Sequence, residues 1–332
     1  MKRLVFITQR VDPDDPILAA TIAQIRALAT RVEELVVLTQ SGRDDVLPNN
    51  AWLRTFGRRR RVARGLRFER ELAHALPADA VVAHMVPLYV VLAAPLVRTR
   101  GIPLVLWFTH WRASPMLRVA AQLATAVTSV DRRSFPVDSR KVHAIGHGID
   151  VDEFACAERS GRPRLHVLVL GRYSPAKGLP TILEAARQVA DVELELHGVA
   201  LNDLERVHRR ELARYGFELG DAVPRAKVPQ LFARADVLVN NMRAGAPDKV
   251  VYEAAAACLP VLASNPVFDE LFGELPLSFD RDDPATLADR LRWLAGLSAD
   301  ERTRMGRTLR ERVSQRHSVE TWADGIIRAA ST

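Results

Sequence analysis

The stretch from His166 to Pro180, HVLVLGRYSPAKGLP, brings two cations to what reads as a helix start. Val167 to Leu170 is an apolar run suited to a buried strand, and Gly171 breaks it. Arg172 and Lys177 follow on a short loop, and Gly178 opens the helical pattern TILEAARQVA. The spacing predicts strand–loop–helix, with a guanidinium, an ammonium and unpaired backbone N–H groups at the carboxyl end of a strand. Such N–H groups and the helix dipole favour negative charge, so the chemistry that suits the spot is binding of a diphosphate. A lysine on a strand–loop–helix connection is common, and the loop needs partners elsewhere in the chain.

Three features qualify. In APDKVVYEAAAACLPVLAS, Ala246 to Ser264, Glu253 falls in the first turns of a helix that follows the strand VLVNN. A carboxylate there suits a ribose diol, and helix-terminal charge compensation is the alternative. His110 lies just past the strand LVLWFT and either faces a cleft or is a surface or core histidine. The turn GHGID, Gly146 to Asp150, has two glycines that permit close backbone approach, though a plain hinge would look the same.

The elements that must position these residues alternate along the whole chain. Strands are expected at 4–8, 35–39, 52–56, 81–84, 104–108, 126–129 and 142–145, then at 166–170, 193–197, 237–240 and 261–264. Helices are expected at 17–30, 62–76, 88–98, 116–124, 181–189, 203–215, 228–235 and 249–258. The chain is helical and highly charged after Asp280, and ends in an amphipathic helix over 318–330 that would cross back to the first domain. This order calls for an α/β protein with two doubly wound parallel sheets covered by helices. The 332 residues suffice for two domains, 1–155 and 156–332, joined near 150–163. Ligands of open α/β sheets bind at the carboxyl ends of the strands, so the cleft between two such domains is the natural site.

Composition is that of a globular protein, 48% hydrophobic and 26% charged. Cys156 and Cys258 are expected to be reduced, buried and cytoplasmic, and no Cys or His pair falls at zinc-ligand spacing. The start MKRLVFITQRVD reads as a first strand, with no signal peptide. The apolar run Ala80 to Val97 approaches membrane-spanning length, but His84, Pro87 and Pro95 favour a buried strand and helix. Residues 1–155 hold 22 Lys and Arg against 15 Asp and Glu, whereas residues 156–332 hold 25 of each. Arg58, Arg59, Arg60 and Arg61 are consecutive, with Arg54, Arg64, Arg67 and Arg70 around them. They form a solvated face, or they meet an anionic lipid surface or acceptor. Nucleic acid ranks last, because only Phe56 and Phe68 are near enough to stack.

In this order the residues resemble the family-4 glycosyltransferases of the GT-B fold. GRYSPAKG is similar to that family's G-R-x-x-x-x-K-G loop, EAAAACLPVLAS to its E-A-x-A-x-G-x-P-V element, and HGIDVDEF to its N-G-V-D-x-x-x-F stretch. TQRVDPDDPIL, HMVPLYVVL, LWFTHW and SFPVDSRKVHAIGHGID resemble one bacterial branch.

The resemblance implies retaining, metal-independent transfer from a UDP- or GDP-linked sugar, with no cofactor beyond that co-substrate. It assigns donor binding to Gly171, Arg172, Lys177, Gly220, Val223, Gly245, Asp248, Lys249, Val250 and Glu253. Main-chain groups of 220–223 would read the base and Glu253 would hold the ribose. Catalysis would involve His110, Arg172, Lys177 and Glu253, with cations stabilising the departing diphosphate in place of a metal. Asp12, Asp15, His110 and His147 are the acceptor candidates. The acceptor would be a lipid-linked or polysaccharide precursor or a small molecule; a non-catalytic binder is the outside alternative. The implied location is cytoplasmic, peripheral on the inner membrane face through Arg58–Arg61 and Arg64. Two departures stand out. Gly245 takes the place of the family's earlier glutamate, leaving Asp248 as candidate replacement, and Cys258 stands where a glycine is usual, read as a packing change.

Overall fold

The computed structural model describes residues 1–15, 18–158 and 162–331. In chain order the elements are β1 (Arg3–Val11), α1 (Thr21–Ala29), β2 (Glu34–Gly42), β3 (Ala51–Thr55), α2 (Arg61–Ala75), β4 (Ala80–His84), α3 (Pro87–Arg98), β5 (Leu104–Trp107), α4 (Pro115–Leu123), β6 (Ala126–Ser129) and β7 (Val142–Ala144). They continue with β8 (Leu165–Arg172), α5 (Leu179–Arg187), β9 (Val192–Val199), α6 (Asp203–Leu212), α7 (Val228–Arg234), β10 (Val237–Asn240), α8 (Lys249–Ala256), β11 (Val261–Ala263), α9 (Asp269–Phe272), α10 (Pro284–Gly296), α11 (Ala299–His317) and α12 (Val319–Ala330). All eleven expected strands form: the inner ones, such as β4, β5 and β10, are apolar runs buried on both faces of a parallel sheet, whereas the edge strands β3, β7 and β9 are only partly buried. The first expected helix begins later than residue 17; Pro16 and Ile17 lie outside the described residues.

Two compact units result, one of Met1–Asp150 with Arg316–Thr332 and one of Val151–Gln315. The first holds a seven-stranded sheet in the order β3-β2-β1-β4-β5-β6-β7 and the second a four-stranded sheet in the order β11-β10-β8-β9. Every pairing is parallel. In the second sheet the chain runs outward from β8 in both directions, so the switch point lies between β8 and β10. Loops leaving those two strands meet there, and such points form crevices that ligands occupy.

In the first unit, α12 is held by Trp322, fully buried with its ring edge-on to Phe6 and Trp107. Arg31 pairs with Asp324 at 2.6 Å, and the Val319 N–H donates to the Ile149 carbonyl at 2.8 Å. Gly325 sits against Ile145, where an added Cβ would come within 2.6 Å of that side chain. The run Ala80 to Val97 divides into buried β4 and α3, with Pro87 in the first turn of the helix. Among the described residues, no helix is long and apolar enough to cross a membrane.

One expectation is overturned. Cys156 and Cys258 are not reduced thiols; they form a disulfide across 102 residues, with their Cα atoms 5.0 Å apart. Cys258 has φ of 56°, a left-handed conformation that glycine adopts without penalty. The change from the expected glycine is therefore more than packing: the cysteine carries a cross-link from a position where the backbone favours glycine.

Candidate active site

The loop after β8 is built by local capping. Ser174 accepts the Ala176 N–H at 3.4 Å, and Gly178 turns the chain with φ of 55° before α5 begins. A Cβ on Gly178 would lie 2.4 Å from the Asn241 amide, so only glycine fits the two loops together. Asn241 closes the contact by donating to the Gly178 carbonyl at 2.9 Å. The Arg243 N–H donates to the Ala176 carbonyl at 3.0 Å. The switch point is thus stitched from both loops.

Lys177 and Asp248 form an ion pair inside this junction, their side chains 14% and 19% exposed. Asn240 donates to the same carboxylate at 2.7 Å. Gly171 leaves room for the lysine, because a Cβ there would sit 3.0 Å from Nζ. Asp248 stands at the N-cap of α8 without making a side-chain cap bond, so its carboxylate is committed to Lys177 and Asn240. Lys249 and Val250 begin α8, and Gly245 precedes it with φ of 115°. Arg172, about half exposed, pairs at 2.7 Å with Glu205, which is buried in the first turn of α6.

Glu253 is buried on α8 and accepts from Arg225 Nη1 at 2.6 Å. The same guanidinium forks onto Glu153, with Nε at 2.9 Å and Nη2 at 2.6 Å from its two oxygens. Burial opposes the charge on Arg225, but Glu253 and Glu153 outweigh it, and the guanidinium is held protonated more firmly than usual.

The expected base-reading segment begins at Gly220, whose N–H donates to the Leu196 carbonyl at 2.9 Å. Its carbonyl accepts from the Gly198 N–H and from the Tyr173 hydroxyl. Burial pushes the Tyr173 phenol up to about 12, against the opposing pull of Arg209, so the hydroxyl is a dependable donor. Gly220 is therefore spent on the sheet edge. Among the described residues, the N–H groups of Asp221, Ala222 and Val223 donate to no protein acceptor.

The first unit holds the acceptor candidates. His110 is exposed past β5; its Nδ1 accepts the Arg112 N–H at 3.0 Å and its ring stacks on Trp111 at 5.2 Å. That bond leaves the neutral ring's proton on Nε2. His147 is only 6% exposed and packs edge-on against Trp107. Asp15 pairs with Arg10 at 3.0 Å and accepts the Leu18 N–H at 2.8 Å, while Asp12 accepts the Asp14 N–H at 3.0 Å. Both aspartates shape their own turn. Arg58, Arg59, Arg60 and Arg61 are exposed at the start of α2, and Arg64 is half-buried one turn on. Val62 and Leu66, four apart on that helix, are 76% and 65% exposed.

Glu153, Glu205, Arg225, Asn240 and Asn241 were not expected. Each acts through a partner 8 to 72 residues away; Glu153 stands in HGIDVDEF without a role assigned to it there, and Glu205, near a helix start, carried a local signal. Among the described residues, no cluster of three His, Cys, Asp or Glu suits a metal ion.

Residues 164–296, less than half of the chain, match the family model described as glycosyl transferases group 1. Comparison with curated proteins finds no match. Among solved structures, the chain is similar to Anabaena HepE in complex with UDP-glucose, at 18% identity and TM-score 0.79 over 100% of both chains. It is also similar to sucrose-phosphate synthase from Thermosynechococcus elongatus, at 15% identity and TM-score 0.75 over 99% of this chain and 98% of that one. A third is the UDP-forming α,α-trehalose-phosphate synthase from Burkholderia vietnamiensis, at 17% identity and TM-score 0.74 over 100% of both. The fold is GT-B. With the match of the second unit to group 1, the protein is classed as a glycosyltransferase.

Proposed function

We propose that the protein moves a sugar from a UDP- or GDP-linked donor to a glycoconjugate acceptor, retaining the anomeric configuration and needing no metal. The observation that carries this reading is the switch point of the second sheet. There Lys177 is paired with Asp248, Arg172 ends β8 just before the loop that carries Lys177, and Glu253 lies one to two turns into the adjoining helix. The UDP complexes of the similar HepE structures support a nucleotide-sugar donor.

Departure of a nucleoside diphosphate places charge on the leaving phosphate, and stabilising it is the main task. A diphosphate entering here displaces Asp248 from Lys177 and Glu205 from Arg172, exchanging carboxylates for phosphate oxygens. Arg172 supplies a planar fork and Lys177 a mobile point charge. The free N–H groups of 221–223 suit base edges, and Glu253 suits the ribose. His110 contacts the transferring sugar, and the leaving phosphate oxygen takes the acceptor proton, so catalysis is positioning plus charge stabilisation.

Arg58–Arg61 with exposed Val62 and Leu66 support an acceptor carried by an anionic membrane, since cations attract headgroups while apolar tips enter the interface. The disulfide removes the cysteine argument for a reducing compartment, so placement on an inner membrane face rests on this basic surface. A small-molecule acceptor is the second reading, favoured by Gly245 in place of a sugar-gripping carboxylate.

Thermal shift against a panel of nucleotide-sugars tests the donor, because a bound ligand raises the melting point by mass action. The binding donor should then release free nucleoside diphosphate slowly by hydrolysis, with EDTA present. Loss of turnover on chelation, or a panel without a stabilising member, refutes the reading.

A further inference from the structure

Glu253 is a charged group in an unusual setting. Its side chain is 7% exposed, and its one protein bond is from Arg225 to Oε1 at 2.6 Å. An ionised carboxylate offers about four acceptor sites, and leaving most of them empty in a buried position is costly. Among the described residues, Oε2 has no donor.

Arg225 is itself held on several sides. Glu153 takes two of its nitrogens in a planar fork, and the guanidinium lies 5.0 Å over the ring of fully buried Phe154. The segment 151–156 that supplies these partners is fastened twice more to α8 and its end. Cys156 is bonded to Cys258, and Arg310 donates to the carbonyls of both Phe154 and Ala256. A fork gripped this firmly presents its remaining nitrogen, Nη1, in one direction.

We propose that Arg225 is a positioning residue for the donor: clamped by Glu153, it holds Glu253 by one oxygen and leaves the other to accept the ribose hydroxyls. This rests on the donor-site reading above and adds what makes that carboxylate discriminate. A free glutamate on a helix has several rotamers, and ordering it at the moment of binding weakens the complex about 5–30-fold. A glutamate already fixed and charged avoids that cost and favours a diol over a deoxy sugar.

The test is calorimetry of UDP and 2′,3′-dideoxy-UDP, with GDP and its dideoxy form as a second pair. The wild type should bind the ribonucleotide on the order of 10–100-fold more tightly, the worth of a hydrogen bond to a charged group. Arg225→Gln, which frees the carboxylate without removing it, should lower that ratio about 5–30-fold, the cost of ordering the freed side chain, by weakening UDP while dideoxy-UDP binds as before. In turnover the donor KM should rise with kcat held. Glu153→Gln, at a half-buried position, loosens the fork and should lower the ratio part of the way; it decides the matter should Arg225→Gln not fold. A ratio that survives in the folded variants overturns the role of Arg225 alone. A wild type that binds neither nucleotide overturns the donor reading, and this inference with it.

Discussion

The Lys177–Asp248 pair makes opposite predictions for its two members. At an effective dielectric of about 20, unit charges at contact attract by about 4 kcal/mol, and desolvation of two mostly buried groups cancels much of this. A net worth of about 1–2 kcal/mol is reasonable at exposures of 14% and 19%. A diphosphate must break this pair to reach Nζ. Asp248→Asn removes the competitor, preserves shape and deletes no helix-cap bond, since the carboxylate makes none. UDP should then bind about 5–30-fold more tightly by calorimetry, the factor that 1–2 kcal/mol represents. The unliganded protein should melt lower, because Lys177 loses its partner. Lys177→Met should do the reverse for the ligand: weaker UDP binding, and donor turnover slower by ~10²–10³-fold, as for loss of one charge-stabilising donor. If both variants shift UDP affinity in the same direction, the ion pair does not compete with the ligand and the exchange mechanism is wrong. If Lys177→Met keeps full turnover, the site itself is misplaced.

Four further outcomes follow from other parts of the molecule. The disulfide closes a loop of 102 residues, for which chain-entropy arguments give about 4.7 kcal/mol, so a reductant should lower the melting point of the second unit by roughly 10 °C or more; two titratable thiols in the unreduced native protein would contradict it. Cys258→Gly should be milder than Cys258→Ala by about 1 kcal/mol, because only glycine is at ease at φ of 56°. His317 is pushed down to about 4, chiefly by burial and then by Arg316, with Asp131 opposing. The unfolded chain therefore takes up a proton that the folded one refuses: stability should be flat above pH 6.5 and fall between pH 6.5 and about 4, and His317→Asn should flatten that fall in urea titrations. Replacing Arg58–Arg61 by alanine should abolish co-sedimentation with anionic vesicles at low salt while turnover of a water-soluble acceptor persists; equal binding of the parent protein to neutral vesicles would remove the membrane proposal.

The elements were legible wherever burial writes itself into the local pattern. Val167–Leu170 and Val237–Leu238 are unbroken apolar runs because their strands are covered on both faces, and a strand half exposed would have alternated. Gly178 was legible as the start of α5 and Lys177 as the loop cation before it, but Gly171, read as ending the strand, pairs with Gly198 inside β8, and Arg172 is the last strand residue. Arg58–Arg61 stood out for the same reason, as a local excess of one charge. The sequence by itself therefore determined the strand–helix order, the place of Arg172 and Lys177 at a strand end, and the presence of Glu253 on a helix after the next strand.

Only the tertiary structure decided what these groups touch. Lys177 meets Asp248 across 71 residues because β8 and β10 are neighbours in the sheet and not in the chain. Arg225 joins Glu153 to Glu253, Arg172 finds Glu205, and Cys156 finds Cys258, all through loops whose approach no periodicity encodes. His147, plausible as a contact for an acceptor, is buried with its ring edge-on to Trp107. Hydrophobic periodicity is a property of neighbours along the chain and survives in the sequence. Pairing of charges and thiols depends on which strand ends lie side by side, and that is fixed only when the sheet assembles.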